Sequence, residues 1–188
     1  MLNNIAATLG GGVPVSLTDY ESIQTYTLGS SQANITFSSI PTTYTHLQLR
    51  LIARSARTTT VDSVVMQVGN GSVDTGANYS THILWGDGAT AQVDAIANTT
   101  NSYGFGIAGN TATAGTFGVA IIDLLDYANT SKYKTVRLLG GYDRNGAGEV
   151  DFISAGWRST SAINTIKLYS GTASNLVQYT QIALYGIK

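Results

Sequence analysis

The sequence predicts an all-β protein: an antiparallel, jelly-roll-like β-sandwich preceded by an extended N-terminal arm. Three observations predict it. Helical periodicity is almost absent, and the apolar residues alternate or fall in short runs. Gly, Asn, Ser and Thr clusters break those runs about every 8–12 residues, the turn spacing of sandwich folds. The chain has 188 residues with 43% apolar content, enough for a sizeable core in one domain. Residues 1–19 form the expected arm and residues 20–188 the expected sandwich.

The arm is apolar, with Leu2, Ile5, Leu9, Val13, Val15 and Leu17, and carries Gly10-Gly11-Gly12 before Pro14. Apolar residues in an extended terminus need a covering surface, so the arm is expected to dock on a neighbouring subunit, for example by adding to a sheet edge. Within the sandwich, ANITF (Ala33–Phe37) alternates and Pro41 closes it. HLQLRLIAR (His46–Arg54) puts Leu47, Leu49 and Leu51 on one face and His46, Gln48 and Arg50 on the other. VDSVVMQV (Val61–Val68) and STHILW (Ser80–Trp85) follow as strands. Ala91–Ala114 is rich in Ala, Thr, Asn and Gly and reads as a weak strand plus a long exposed loop. GVAIIDLL (Gly118–Leu125) reads as a buried strand, and KYKTVRLLGGY (Lys132–Tyr142) as the next. DYANTS (Asp126–Ser131) links them with turn chemistry. Asn145-Gly146 in DRNGAG is a hairpin signal, because both residue types tolerate positive φ. VDFISAGW (Val150–Trp157), NTIKLYS (Asn164–Ser170) and QYTQIALYGI (Gln178–Ile187) complete about ten strands.

Charged residues make up only 11% of the chain and the net charge is −1. Such a surface steers neither nucleic acid nor anionic membrane, so neither is an expected partner. Arg50, Arg54 and Arg57 are close in sequence, with Arg50 and Arg54 on one strand face, a weak basic patch at most. The absence of cysteine removes disulfides and thiolate metal sites. No apolar run reaches membrane-spanning length, and MLNNIAATLGGGVPVS lacks the basic segment of a secretory signal.

Catalytic patterns are weak. Asp123 and Asp126, three apart at a strand end, point to opposite faces, unsuited to glycoside hydrolysis. Glu149 and Asp151 share a face and read as solvated edge charges. His46 and His82 have no triad spacing, and His46 is expected to make an ordinary hydrogen bond at a strand start. No nucleophile elbow, phosphate loop or dinucleotide fingerprint occurs. No enzyme activity, cofactor or metal is therefore expected.

One stretch concentrates chemistry-bearing residues: NGSVDTGANYSTHILWGDG (Asn70–Gly88). Asn70, Asp74, Asn78 and Asp87 offer oxygen ligands without matching an EF-hand. Tyr79 and Trp85, beside Asp74 and His82, offer stacking faces and polar groups for a sugar. Alternation sets Tyr79, Thr81, Ile83 and Trp85 on one face and Ser80, His82 and Leu84 on the other, so His82 and Trp85 do not share a pocket. Asn70, Asp74, Asn78, Tyr79 and Trp85 are the candidate interface or ligand residues. The loops expected to face outward are Asn70–Asn78, Asn98–Thr116 and Asp143–Gly148.

Several phrases occur together: DYESI (Asp19–Ile23), ITFSSIPTTYTHLQLR (Ile35–Arg50), NYSTHILWGDG (Asn78–Gly88), IDLLDYANTSKYKT (Ile122–Thr135), GGYD (Gly140–Asp143) and ALYGIK (Ala183–Lys188). In combination they resemble a family of virion structural proteins of tailed bacteriophages, many from marine and cyanobacterial hosts. The resemblance spans Asp19 to Lys188 and carries no active-site residues. It implies a non-enzymatic component of the particle, either a head decoration or cement protein or a tail, fibre or baseplate part. It further implies assembly in the bacterial cytoplasm and contacts with other virion proteins. A homotrimer or larger symmetric assembly is expected. The alternative is a receptor- or glycan-binding module on a tail appendage that engages a host surface glycan.

Overall fold

The computed structural model describes residues 19–188; the expected arm, residues 1–18, lies outside them. The described chain is all-β, with thirteen strands in two antiparallel sheets that pack as a sandwich. In chain order these are β1 (Tyr20–Thr27), β2 (Asn34–Phe37), β3 (His46–Ala53), β4 (Val61–Asn70), β5 (Ser72–Val73), β6 (Tyr79–Gly86) and β7 (Ala91–Thr99). There follow β8 (Ser102–Ala108), β9 (Gly118–Leu125), β10 (Lys134–Asp143), β11 (Gly148–Trp157), β12 (Thr165–Ser170) and β13 (Gln181–Ile187).

The large sheet runs β1-β13-β3-β9-β10-β11-β6-β7, and the small sheet β2-β12-β4-β5 with β8 also on β4. Period-two alternation builds the core between them. From the large sheet, Leu47, Leu49, Ile122, Leu124 and Ile153 point inward; from the small sheet, Phe37, Val64, Phe105, Ile166 and Leu168 meet them, all at 1% exposure or less. The Asn145-Gly146 turn takes positive φ at both residues (61° and 95°), and Arg144 N–H closes it on Ala147 O at 2.7 Å.

Two expectations need correction. Ala91–Ala114 holds two strands, and β8 inside it is buried (Tyr103 apart, whose side chain is not described). A Cβ at Gly104 would lie 1.0 Å from Val64 O, so glycine lets this strand lie against β4. Small residues that pack by backbone approach give no apolar periodicity. Asn110–Thr116 is the largely exposed loop expected, but it closes over Arg54, which the pattern put on the outer face of its strand. Arg54, buried at 7% exposure, threads it with Nη1 to Thr113 O (2.7 Å) and Thr116 O (3.1 Å), and Nη2 to Ala112 O (2.8 Å) and Asn110 O (3.2 Å). The strand Tyr20–Thr27, polar in five of its eight positions, was not legible as a strand; it is held as the sheet edge by pairing with β13.

Candidate functional site

The Asn70–Asn78 loop is built around one carboxylate. Asp74 Oδ2 accepts Trp157 Nε1–H (2.8 Å) and Asn78 Nδ2–H (2.9 Å), and Oδ1 accepts Gly76 N–H (2.8 Å). Burial pushes the Asp74 carboxyl up, but those hydrogen bonds outweigh it and hold it below the ordinary range. Tyr79 is core at 2% exposure; its hydroxyl donates toward Val68 O and Asp74 O, both at 2.9 Å, and accepts Val68 N–H at 3.0 Å. Asn70 remains at the surface, its side chain donating to Ala162 O at 2.9 Å. Trp85 is half-buried at the opposite end of β6, packed against the core.

These five residues therefore do not line one pocket. Tyr79 and Trp85 face inward while His82 faces out, as the alternation predicts. The oxygen donors do not converge either: Asp87 lies beyond the far end of β6 from Asp74 and spends its carboxylate on Ala89 N–H (2.9 Å) and Thr90 N–H (2.8 Å). No group of three His, Asp or Glu side chains able to hold a metal forms among the described residues.

The remaining candidates also resolve. His46 Nδ1 accepts Asp126 N–H at 3.0 Å, the ordinary hydrogen bond expected at a strand start. Asp123 accepts Gln48 Nε2–H at 2.8 Å on the outer face of the sheet, whereas Asp126 sits in the turn, salt-bridged to Lys132. Arg54 lies inside the molecule and Arg50 stacks over Tyr20 and Tyr185 at 5.3 and 5.5 Å, so the arginines form no basic patch.

Glu149 and Asp151 overturn the reading as solvated edge charges. β11 is an interior strand, between β10 and β6, and these two side chains point inward while Val150 and Phe152 point out. Asp151 is 5% exposed and accepts Gly106 N–H at 2.9 Å. Glu149 sits against Gly106, where a Cβ would lie 1.7 Å from Oε1. Burial, then the Asp151 charge, pushes the Glu149 carboxyl up to about 7. Both line a cleft of about 270 Å³ between the sheets, with Trp85, Asp94, Asp62 and Arg57. Asp62 is already satisfied by Ser170 Oγ–H (2.6 Å) and Ser63 N–H (2.8 Å).

The most distinctive surface lies on the other side of the large sheet. Of the ten exposed large hydrophobic residues among those described, eight share its outer face: Ile52, Leu84, Val93, Val119, Ile121, Leu139, Val150 and Phe152. The registers align them. Arg50 pairs with Ile121, Ile121 with Leu139, Leu139 with Phe152, Phe152 with Leu84, and Leu84 with Val93. This row crosses six strands, about 24 Å at the usual strand spacing. Two residues along, a second row reads Ile52, Val119, Gly141, Val150, Gly86, Ala91. Beside it Gly86, Gly140, Gly141 and Gly148 help line a hollow of about 550 Å³. Two residues the other way lies a polar row: Tyr185, Gln48, Asp123, Arg137, Ser154 and His82.

The eight side chains present on the order of 700 Å² of apolar surface, above the 300–600 Å² of a typical monomer's largest patch and near the ~800 Å² that one partner gives a standard interface. Sequence reading missed this face because it took GVAIIDLL simply as a buried strand. The signal was present. In an antiparallel sheet one face is commonly solvated, so apolar residues at consecutive positions (Ile121-Ile122, Leu138-Leu139, Phe152-Ile153, Ile83-Leu84) mark a second face that is apolar too.

Compared with known proteins, the chain matches no family model, no curated protein and no solved structure.

Proposed function

We propose that this protein is a non-enzymatic structural component of a tailed-bacteriophage particle, acting as a head decoration or cement protein or as a tail, fibre or baseplate part. The observation that carries the reading is the apolar outer face of the large sheet. Eight aligned hydrophobic side chains left in water are the mark of an assembly surface, and a protein of the particle works by such contacts. The low charge of the chain supports it, since few ions must be desolvated when surfaces close. Mass analysis of purified virions tests it. Hundreds of copies per particle place the protein on the head, a few to a few dozen place it on the tail or portal vertex, and its absence from particles refutes the proposal. A chain lacking residues 1–18 should fold with an unchanged β spectrum and fail to incorporate; normal incorporation would sink the arm's docking role.

A second reading, a glycan-binding module, is favoured by one observation: Trp85 lines the inter-sheet cleft beside Asp94, Glu149 and Asp151, pairing an aromatic face with carboxylates. Glycan-array binding that disappears in Trp85→Ala with the fold intact would support it, and no binding by the wild-type chain would count against it.

A further inference from the structure

We infer that two copies of this chain pair face to face through the outer surface of the large sheet, the ridge of each seated in the glycine-lined hollow of the other. The inference goes beyond the particle assignment and stands without it, because it concerns the purified chain.

The two rows on this face differ in height on β10 and β6. On β10 the first row has Leu139 and the second Gly141; on β6 the first has Leu84 and the second Gly86; on β11 Phe152 stands beside Val150. Leu139, Phe152 and Leu84 make a ridge, and Gly141 and Gly86 leave two gaps beside it, one on each side of Val150, in a hollow bordered by Asp87 and Asp143. A two-fold axis running between the rows, across the strands, reverses their order in the second copy. Each ridge residue then lies over the second-row residue of its own strand: Leu139 over the partner's Gly141 and Leu84 over the partner's Gly86, with Phe152 packed against the partner's Val150 between these two gaps. A surface that fits its own two-fold image in this way favours a second copy over an unrelated protein.

Charge and area agree. Within the two rows the only charge is Arg50, at the β3 end, and its guanidinium is held over Tyr20 and Tyr185. The rim is mixed in sign: in the polar row Asp123 and Arg137 are cross-strand neighbours of opposite charge, and Asp87 and Asp143 border the hollow on the other side, where the axis sets the partner's Arg137 over Asp143. Two such patches bury on the order of 1,400 Å², within the range of stable specific interfaces. Sheets packed face to face in this way resemble one more sandwich layer, about 10 Å apart.

The test is sedimentation equilibrium of the full chain at tens of micromolar. The wild type should run at twice its 19.7 kDa chain mass. Phe152→Lys should weaken pairing about 100-fold or more, because a lysine would be buried without a partner. Gly86→Leu is the sharper variant. A Cβ there meets nothing closer than Thr90 O at 3.7 Å, so the fold accepts it, yet the leucine fills the hollow. Ridge-in-hollow pairing predicts at least a 10-fold loss of affinity for Gly86→Leu; general hydrophobic adhesion predicts a gain. Far-UV circular dichroism and melting of both variants should match the wild type. A monomeric wild type, pairing that survives Phe152→Lys, or tighter pairing in Gly86→Leu overturns the inference.

Discussion

Glu149 carries a cost that the rest of the chain absorbs. Burial in the cleft, and then the charge of Asp151, push its carboxyl up to about 7 in the folded chain, against 4.5 for an ordinary glutamate. Between those two values the unfolded chain has released the proton and the folded chain still holds it. Stability therefore falls as pH rises through this window and stays reduced above it. Burial raises the Asp151 carboxyl too, which acts in the same direction. Asp74, Asp87 and Asp126 are held low and lose their contribution only in more acid solution. Chemical denaturation at pH 5 and pH 8 should show the wild type losing stability across the interval and Glu149→Gln losing clearly less; parallel curves would count against this account of Glu149. Asp74 makes the opposite case. It satisfies an indole N–H, an amide and a backbone N–H, so Asp74→Ala leaves the indole N–H of buried Trp157 unpaired and should cost about 2–3 kcal/mol by urea denaturation. The sequence placed Asp74 among ligand candidates because its residue type suits either role; only the position of Trp157, eighty-three residues away in the chain, decides that the carboxylate is internal.

At the scale of elements, what was legible depended on how each strand packs. β3, β4, β9, β10, β11 and β12 follow alternation or apolar runs and sit close to where the pattern puts them. β8 does not, since its partner surfaces are met by glycine backbone, and glycine leaves no hydrophobic trace. Gly104→Ala should show how much rests on that approach. With Val64 O at 1.0 Å from the new methyl, β8 cannot keep its place on β4. The expected result is loss of the cooperative melt or a drop of more than about 3 kcal/mol in stability; an alanine variant within 1 °C of the wild type, by order of magnitude a negligible change, would refute the packing. Arg54 was equally hidden. It continues the outward parity of β3, which predicts a solvent-facing cation, but the Asn110–Thr116 segment folds over it and accepts all four hydrogen bonds of its guanidinium. Arg54→Met keeps the aliphatic packing and removes the donors. It should cost about 2–4 kcal/mol and make the chain cleavable between residues 110 and 116 in limited proteolysis. A segment that stays resistant would show that the arginine does not hold it.

For the whole molecule, the decisive arrangement is one that local pattern could not reveal: the two ends of the described chain meet. β1 lies against β13, and Lys188 N–H reaches Asp19 O at 3.0 Å. The sandwich class was readable from turn spacing, whereas this closure is set by long-range pairing of β1 with β13 and β2 with β12. It makes a strong prediction about connectivity. If the sheets are held by pairing rather than by chain order, residues 19–188 can be rejoined from Lys188 to Asp19 by a short glycine-serine linker and reopened elsewhere. The best opening is between Asn145 and Gly146. Both are exposed, and the cut sacrifices little beyond the Arg144–Ala147 hydrogen bond. β10 and β11 stay in register without their hairpin because β9 holds one and β6 holds the other. The permuted chain should give the wild-type far-UV spectrum and a single cooperative melt, refolding in milliseconds to seconds as expected for non-local β pairing. A permuted chain that collapses without cooperative melting would mean that the hairpin, and not the flanking pairs, sets the register of the sheet's centre.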